Sequence, residues 1–361
     1  MRIVHVINQL SGGGAERLVP QIQAEHRKAG LDSWVIGMGA EPTLQGKAII
    51  SFGKPVRRWR QPLQLRWALH RLEEQVGRID ILHTHLTQSQ LFGPWAAGGL
   101  KRRPKLVTTE HDTAHRRLGT WWGKPFDRRI YRRYSRIACI SEAVRDMLVH
   151  WQPQTSGKLV VIPNGIDGSA FGSSRRCDSR RPGPLRLLSV GRLVPKKGYA
   201  TAMEALGALH DFDWEWTLVG EGEEREALAS RAREKGIAER VHFAGFVEDP
   251  RPYYDAADLF LMPSRWEGFG LVAAEAMASG VPVLASKVPG LAEIVGHNGT
   301  AGGWLIPPES PHEWRRVLSR LLSDPESVWI PPARCRERAK EFGIEKTADA
   351  YWQMYDSVLS Q

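Results

Sequence analysis

Two carboxylates near residue 270 have the type and spacing to bind hydroxyl groups on different parts of one ligand, such as those of a sugar and of a ribose. Glu267 precedes the turn Gly268-Phe269-Gly270, and Glu275 lies about one turn into the helix that we expect to follow. A carboxylate suits vicinal hydroxyls because it accepts both of their hydrogen bonds. The alanines and Met277 around Glu275 predict tight packing, where an unpaired carboxylate is costly. An exposed glutamate on an amphipathic helix is the structural alternative.

Positive charge suited to a diphosphate follows another hydrophobic run. The run at 185–190 is followed by Gly191 and Arg192, and Lys197 stands five residues after Arg192. A guanidinium binds phosphate oxygens bidentately and an ammonium acts as a point charge, so the two can hold a diphosphate from two sides. The helix that opens after 268–270 adds N–H groups and about half a positive charge. Either cation alone would be better explained as part of a surface loop.

Glycines also follow the first predicted strand. The segment Ser11-Gly12-Gly13-Gly14 leads from that strand into a helical pattern. Ligands of open α/β sheets bind at the carboxyl ends of strands, where Gly13 and Gly14 would let N–H groups approach a phosphate or sugar. The spacing is neither GxGxxG nor that of a P-loop, so a purely structural turn explains it equally well.

The elements that must position these residues are short β-branched runs alternating with helical patterns, which predicts an α/β protein with parallel sheets. Strands are predicted at 3–7, 33–37, 80–85, 105–109, 136–141 and 158–163, and again at 185–191, 214–220, 241–246, 257–263 and 281–286. Two doubly wound domains at 1–165 and 185–343 would be joined by a Gly/Ser/Arg/Pro-rich linker at 166–184. The tail at 344–361 has helical spacing and either caps the second domain or packs back on the first.

The net charge of +10 is unevenly distributed. Residues 1–180 carry 29 Lys or Arg and 14 Asp or Glu, or +15, and residues 181–361 carry −5. The basic clusters are Arg57, Arg58 and Arg60, Lys101 to Arg103, and Arg116, Arg117, Arg128, Arg129, Arg132, Arg133 and Arg136 interleaved with Trp121, Trp122, Phe126 and Tyr131. Such a surface suits an anionic membrane, a phosphorylated substrate or nucleic acid, and a solvated basic face is the alternative.

Composition indicates a globular protein, because 42% of the 361 residues are hydrophobic and 25% are charged. No run reaches the roughly 18 apolar residues of a membrane span, and the first residues lack the cleavage site of a signal peptide, so we expect a cytoplasmic location. Cys139, Cys177 and Cys335 fit no disulfide or metal-ligand spacing and are expected to be reduced thiols.

The motifs together resemble those of the retaining family-4 glycosyltransferases, the "glycosyl transferases group 1" type. The matching segments are GGGAERL (12–18), IPNGID (162–167), VGRLVPKKG (190–198), LVGEGEEREAL (218–228), FAGF (243–246), and GFGLVAAEAMASGVPV (268–283) followed by PGLAE (289–293). They run in the family's order across nearly the whole chain. The resemblance implies a GT-B fold, in which two Rossmann-like domains face each other across a cleft, the first on the acceptor side and the second binding the donor.

The resemblance also implies site residues. Catalytic roles fall to Glu267, Arg192, Lys197 and His111, which follows the strand at 105–109, whereas His83 and His85 are interpreted as structural. The residues implied to bind the nucleotide-sugar donor are Gly13, Gly14, Arg192, Lys197, Gly268, Phe269, Gly270, Leu271 and Glu275. Among them, Arg192 and Lys197 would bind the diphosphate, Glu275 the ribose, and Glu267 the sugar.

The mechanism that the resemblance implies is metal-independent transfer of a hexose-type sugar with retention, in which the leaving phosphate acts as base. No cofactor is expected beyond the donor substrate, a UDP- or GDP-linked sugar. Asp211 and Asp213 could suit a metal, but they precede the strand at 214–220 at the amino end of the sheet, so we predict a solvated turn and no metal site.

Other functions remain compatible with parts of the sequence. A nucleotide-sugar epimerase or a sugar phosphorylase would share the fold, and a basic nucleic-acid-binding protein would share the charge, although no nucleic-acid-binding motif is present and we expect no such partner. The basic half favours a glycan or lipid-linked acceptor, with an anionic membrane surface as a further partner. We therefore expect a cytoplasmic protein, peripheral at the inner face of the cell membrane, in cell-envelope polysaccharide or lipopolysaccharide biosynthesis.

Overall fold

A computed structural model of the chain describes residues 1–10, 13–38, 49–51, 60–113, 120–171, 183–296, 301–324 and 330–360. The chain divides into two units, one formed by Met1–Gly165 with Ile344–Gln361 and the other by Ile166–Gly343. Of the predicted linker at 166–184, residues 172–182 lie outside the described residues. No helix of the described part of the chain is long and apolar enough to span a membrane.

The sheet of the first unit contains seven parallel strands in the spatial order β3-β2-β1-β4-β5-β6-β7. The strands are β1 Arg2–Ile7, β2 Asp32–Gly37, β3 Ile49–Ser51, β4 Ile81–His85, β5 Lys105–Glu110, β6 Arg136–Cys139 and β7 Leu159–Val161. Every residue of β4 is buried, as expected for a parallel strand that is covered on both faces. The strand order reverses between β1 and β4, which is the position where open α/β sheets bind ligands.

Helices cover both faces of this sheet. They are α1 Gly14–Lys28, α2 Gln61–Val76, α3 Thr87–Ala97, α4 Gly123–Tyr131, α5 Glu142–Trp151 and the final helix of the chain, α13 Ile344–Leu359. Residues of α1 and α13 share a buried cluster with β1 and β4, including Leu18, Tyr355 and Ile3. The tail of the chain therefore packs in the first unit and does not cap the second.

The second unit contains six parallel strands in the order β10-β9-β8-β11-β12-β13. The strands are β8 Leu185–Val190, β9 Trp214–Val219, β10 Val241–Gly245, β11 Leu259–Met262, β12 Val283–Ser286 and β13 Gly303–Ile306. The helices are α6 Tyr199–Leu206, α7 Arg225–Glu234, α8 Arg251–Ala256, α9 Leu271–Ala278, α10 Pro289–Val295, α11 Pro311–Ser323 and α12 Pro332–Ala339. Here the order reverses between β8 and β11, so the loops after these two strands are expected to meet.

Two short strands at the edges of the sheets, β3 and β13, were not predicted from the sequence. The Gly302-Gly303 pair before Trp304 suggests a turn rather than a strand. In the structure Gly303 pairs with Val283 of β12, and a Cβ at Gly303 would lie only 1.9 Å from the carbonyl oxygen of Val283. Glycine is therefore required for this edge strand to approach its neighbour.

Candidate active site

The candidate site of the second unit lies at the point where the strand order of its sheet reverses. Loop 191–198 follows β8, and loop 263–270 follows β11. The amide of Arg265 donates to the carbonyl oxygen of Lys196 at 2.9 Å, which ties the two loops together. The cations predicted from the sequence lie on the first loop and Glu267 lies on the second, so the fold brings them to one edge.

Two glycines allow backbone segments to pack around the loop after β8. A Cβ at Gly198, which has a φ of +65°, would lie 2.1 Å from the carbonyl oxygen of Pro263. A Cβ at Gly222, in the loop after β9, would lie 2.2 Å from the carbonyl oxygen of Leu193. No other residue fits these contacts without displacing the backbone. The loop that carries both predicted cations is thus held from two directions.

Lys197 and Glu267 form an ion pair within this site. The Nζ atom of Lys197 lies 2.5 Å from Oε1 of Glu267, and the two side chains are 15% and 9% exposed. The hydroxyl of Ser264 donates to the same oxygen at 3.3 Å. Burial opposes ionisation of the Glu267 carboxyl, but the charges of Lys197 and Lys196 outweigh it and lower its pKa below the usual value. The sequence predicted both residues of the pair as ligand-binding groups but did not predict that they pair with each other.

The N-terminus of α9 lies directly after Glu267. Gly270 is the N-cap of this helix, in the left-handed region at a φ of +101°, and Leu271 is its first residue. Gly268 and Phe269 are buried in the turn before it. The first turn of α9 contains no acidic residue, so no side chain of that turn offsets its partial positive charge. This end of α9 is suited to an anion.

Glu275, on the same helix, has a hydrogen-bond donor that the sequence did not reveal. The hydroxyl of Tyr254 donates to Oε2 of Glu275 at 2.8 Å. Tyr254 belongs to α8 and is fully buried, so it holds the half-buried Glu275 carboxylate in a fixed orientation. A tyrosine 21 positions upstream gives no motif signal, because the contact depends on how α8 and α9 pack.

Arg192 differs from Lys197 in its surroundings. Its side chain is exposed. Among the described residues, Lys197 forms an ion pair with a carboxylate and Arg192 does not. An exposed guanidinium is ready to receive phosphate oxygens without first leaving a partner. The two predicted diphosphate ligands therefore start from different states, one solvated and one buried in an ion pair.

The glycine turn of the first unit has a carboxylate beside Gly13. Gly13 is the N-cap of α1 and Gly14 is its first residue. The Oε2 atom of Glu16 lies where it would be 2.4 Å from a Cβ on Gly13, and an acidic side chain in the first turn stabilises a helix. A phosphate that approached Gly13 from this side would have to displace the Glu16 side chain.

His111, just after β5, is connected to two histidines in the strands beside it. Its Nε2 lies 3.3 Å from Nδ1 of His85, and Nε2 of His85 lies 3.1 Å from Nδ1 of His5. His5 and His85 are fully buried, and His111 is partly exposed. A function was predicted for His111 and a structural role for His85, but the structure joins them in one hydrogen-bonded row.

His83 is held by hydroxyl groups instead. Its Nδ1 lies 2.6 Å from the Tyr355 hydroxyl, and its Nε2 lies 2.7 Å from Oγ1 of Thr109. Ring nitrogens of His5, His83 and His85 lie within 4.8 Å of one another, a spacing that could hold a metal ion. Both nitrogens of His83 and of His85 nevertheless have partners within the protein, so a metal ion would have to break existing hydrogen bonds.

The basic and aromatic segment around α4 is mostly at the surface. Trp121 is 90% exposed, and Trp122 and Phe126 are also exposed. The charged residues of this surface are Lys124, Arg128, Arg129, Arg132 and Arg133. Tyr131 does not belong to it, because it is buried and donates to Oε1 of Glu110 at 2.6 Å. Arg57, Arg58, Arg116 and Arg117 lie outside the described residues.

The sequence predicts a solvated turn at Asp211 and Asp213 and reduced thiols at the cysteines. Both aspartates are exposed and immediately precede β9, at the amino end of its sheet. Cys139 and Cys335 are buried free thiols, while Cys177 lies outside the described residues. Burial raises the pKa of the Cys139 thiol to about 12, which disfavours the reactive thiolate.

Two family models match the chain, one on each unit. The model "Glycosyltransferase Family 4" matches residues 12–169, and the model "Glycosyl transferases group 1" matches residues 175–342. The two matches do not overlap and together cover every strand of the two sheets except β1.

Individual relatives show the same likeness. A glycogen synthase of Mycobacterium tuberculosis is 29% identical over 77% of this chain and 61% of its own length, so this chain matches less than two thirds of that relative. A GDP-mannose:cellobiosyl-diphosphopolyprenol alpha-mannosyltransferase of Komagataeibacter xylinus is 25% identical over 100% of this chain and 94% of its own. The crystal structure of Anabaena HepE in complex with UDP superposes with a TM-score of 0.79 at 20% identity, covering 99% of this chain and 100% of that one, a likeness of fold.

The buried histidines predict a loss of stability in mild acid. Burial lowers the pKa of His5, His83 and His85 well below the usual value and that of His111 to about 4. Below a pH of about 6.5 the unfolded chain therefore binds more protons than the folded one, and the free energy of unfolding falls as pH falls. Urea unfolding between pH of about 7.5 and 5.5 should show this slope.

A pair of variants checks the assignment. His5→Phe should flatten the slope by up to about 1.4 kcal/mol per pH unit, whereas His210→Gln, which replaces an exposed histidine, should leave it unchanged. Equal slopes in the wild type and in His5→Phe would show that His5 does not take part in the acid response.

Proposed function

The chain belongs to the family-4 glycosyltransferases of the GT-B fold, and from this we propose that it is a retaining, metal-independent glycosyltransferase. It would move a hexose-type sugar from a nucleoside diphosphate sugar onto a glycan or lipid-linked acceptor. The Rossmann-like unit Ile166–Gly343 would bind the donor, and the unit that contains Met1–Gly165 would lie on the acceptor side.

The observation that carries this proposal is the Lys197–Glu267 pair beside the N-terminus of α9. Removing two charges from water is costly unless each has a partner. A donor diphosphate would supply a new partner for Lys197, and the sugar hydroxyls would donate to the carboxylate of Glu267. A nucleotide sugar would therefore supply new partners for Lys197 and Glu267 at once, which a nucleotide without a sugar cannot do.

The chemical step requires stabilisation of the departing nucleotide. The bond between the anomeric carbon and the donor phosphate oxygen breaks, and its electron pair stays on the diphosphate while positive charge develops on the sugar. Arg192, Lys197 and the N–H groups of Gly270 and Leu271 would stabilise that negative charge without a metal ion. The acceptor hydroxyl would attack from the same face, and its proton would pass to a departing phosphate oxygen.

The ribose and the base are addressed by different observations. Glu275, oriented by Tyr254, would accept hydrogen bonds from the two ribose hydroxyls. We propose UDP or GDP as the carrier, because the HepE structure contains UDP and the Komagataeibacter relative is named for GDP-mannose. An epimerase on this fold would change the sugar of the donor, and a phosphorylase would use phosphate. Neither would transfer the sugar of a nucleotide donor to an added acceptor.

A lipid-linked acceptor is favoured by the surface around α4. The name of the Komagataeibacter relative specifies a diphosphopolyprenol acceptor, which is a membrane lipid. Exposed Trp121, Trp122 and Phe126 beside Arg128 and Arg129 combine apolar rings with cations, a composition suited to an anionic membrane surface. We propose that the protein works in the cytoplasm at the inner membrane face, in cell-envelope polysaccharide or lipopolysaccharide biosynthesis.

The donor site predicts donor binding that needs no metal ion, and sugar transfer that requires Arg192 and Glu275. UDP-, GDP-, ADP- and TDP-sugars should be compared by thermal shift and by transfer to an added acceptor, with and without EDTA. We expect one nucleotide class to stabilise the protein by about 2.7 kcal/mol at roughly 100 times its Kd, equally in EDTA. Arg192→Ala and Glu275→Ala should lose transfer and keep the fold.

Arg233→Ala is the matched control, because Arg233 is an exposed arginine in the last turn of α7, away from the strand ends that form the site. It should bind donor and transfer sugar like the wild type. Stabilisation that disappears in EDTA would contradict metal independence. The absence of binding by every nucleotide sugar, or salt-sensitive DNA binding in its place, would overturn the proposed function.

The α4 surface predicts binding to anionic vesicles. In flotation at low salt the protein should rise with vesicles that contain anionic lipid, and added salt should weaken this binding. The double variant Trp121→Ala/Trp122→Ala should lose at least roughly tenfold in affinity, because burying a large apolar side chain contributes about 1.5–3 kcal/mol. Trp352→Ala, which removes an exposed tryptophan of α13, should bind normally. Flotation that is equal for the three proteins would refute this surface as the membrane contact.

A further inference from the structure

Three histidines form a hydrogen-bonded row from the interior of the first unit to His111. The row consists of Nδ1 of His5 against Nε2 of His85 at 3.1 Å, and Nδ1 of His85 against Nε2 of His111 at 3.3 Å. Each contact joins one ring nitrogen that carries a hydrogen to one that does not. The direction of donation must therefore be the same along the whole row of neutral rings.

The sheet fixes the positions of these rings. His5 of β1 pairs in register with His83 of β4, and His85 lies two residues further along β4 on the same face. His85 in turn pairs with Thr109 of β5, two residues before His111. Because the three strands are adjacent and parallel at the point where the strand order reverses, the rings have little freedom to change partners.

The buried end of the row sets the direction of donation. The Nε2 atom of His5 is buried and has no hydrogen-bond partner among the described residues. A buried N–H without an acceptor is rarer than a buried acceptor without a donor, so this nitrogen is the one without a hydrogen. The neighbouring His26 shows the same preference, since its Nε2 donates to the carbonyl oxygen of Ala348 and its unpaired nitrogen is Nδ1.

The hydrogen positions then follow along the row. With Nε2 of His5 bare, Nδ1 of His5 carries the hydrogen and donates to Nε2 of His85. The single hydrogen of His85 is then on Nδ1, which donates to Nε2 of His111. His111 accepts at Nε2 and carries its own hydrogen on Nδ1.

We propose that His5 and His85 are positioning residues that hold His111 as the Nδ1–H tautomer, so that it offers a hydrogen-bond donor, and not a base, at the carboxyl edge of the first sheet. This inference rests on the proposed function only in taking His111 as part of the transferase site. Burial keeps the ring neutral at physiological pH by lowering its pKa. A donor at this position would bind an oxygen of the acceptor, and the acceptor proton would have to leave by another route, as it does when the departing phosphate acts as base.

A metal ion would explain the cluster differently. It would need bare nitrogens from His5, His83 and His85 directed at one point, whereas the nitrogens of His83 bond to Tyr355 and Thr109. The two ring nitrogens of His85 bond to His5 and to His111. The observed contacts therefore favour a row of hydrogen bonds.

Nitrogen NMR on the full chain tests the proposal without any substrate. In the protein labelled with ¹⁵N-histidine, the ring signals of His111, assigned by their loss in His111→Gln, should show a protonated Nδ1 and a bare Nε2. His85→Phe, which cannot donate, should lose this single tautomer and give a mixture. His85→Asn, whose amide can donate from the position of Nδ1, should restore it. His5→Phe should weaken it through His85.

Activity gives a second readout. His85→Phe should lower kcat/KM for transfer about tenfold, the effect of one hydrogen bond, and His85→Asn should recover most of the loss. A wild-type His111 with a protonated Nε2, or a tautomer unchanged in a folded His85→Phe, would overturn the proposal and leave the proposed function intact. Zinc that binds stoichiometrically and shifts the signals of His5, His83 and His85 would also overturn it. If no nucleotide sugar bound, the proposed function would be refuted, but the tautomer result for His111 would still hold.

Discussion

The ion pair between Lys197 and Glu267 is the constraint on which the second unit depends. Each charge is largely removed from water, so each needs a partner whether or not a ligand is present. Without a ligand they satisfy each other, with Ser264 as a further donor. The close backbone contacts at Gly198 and Gly222 hold the loop that carries Lys197 in the position where the ion pair can form. Under the proposed function, recognition of the donor would be an exchange of partners between two groups that are already in place.

At the carboxyl edge of the first sheet, buried histidines are held by hydrogen bonds between neutral groups and not by an ion pair. The polar groups of its histidine cluster are neutral imidazoles and hydroxyls, paired with one another beneath α1 and α13. Burial disfavours charge there, whereas the second unit retains charge because opposite signs meet. The histidine cluster is therefore suited to hydrogen bonding with uncharged groups, and the site of the second unit to a diphosphate.

Much of this could be predicted from the sequence, because parallel strands appear as continuous apolar runs and the motif residues follow them. Eleven strands were located in this way, and the residues predicted to form one site include Lys197 and Glu267, which the structure brings together. The short strands β3 and β13 were missed, since three or four residues beside glycines do not differ from a turn. The contacts of Tyr254 and His85 were missed because they depend on packing and register. A sequence lists charges but does not show which of them meet.

The central claim is that Lys197 and Glu267 stabilise each other in the ligand-free protein. A double-mutant cycle with Lys197→Met and Glu267→Gln tests it through the free energy of unfolding in urea. Each single variant leaves one charged or polar group buried without its partner and should cost about 3 kcal/mol, while the double variant should cost much less than the sum. Costs that add to within about 0.5 kcal/mol would show that the two residues are not coupled and would contradict the account.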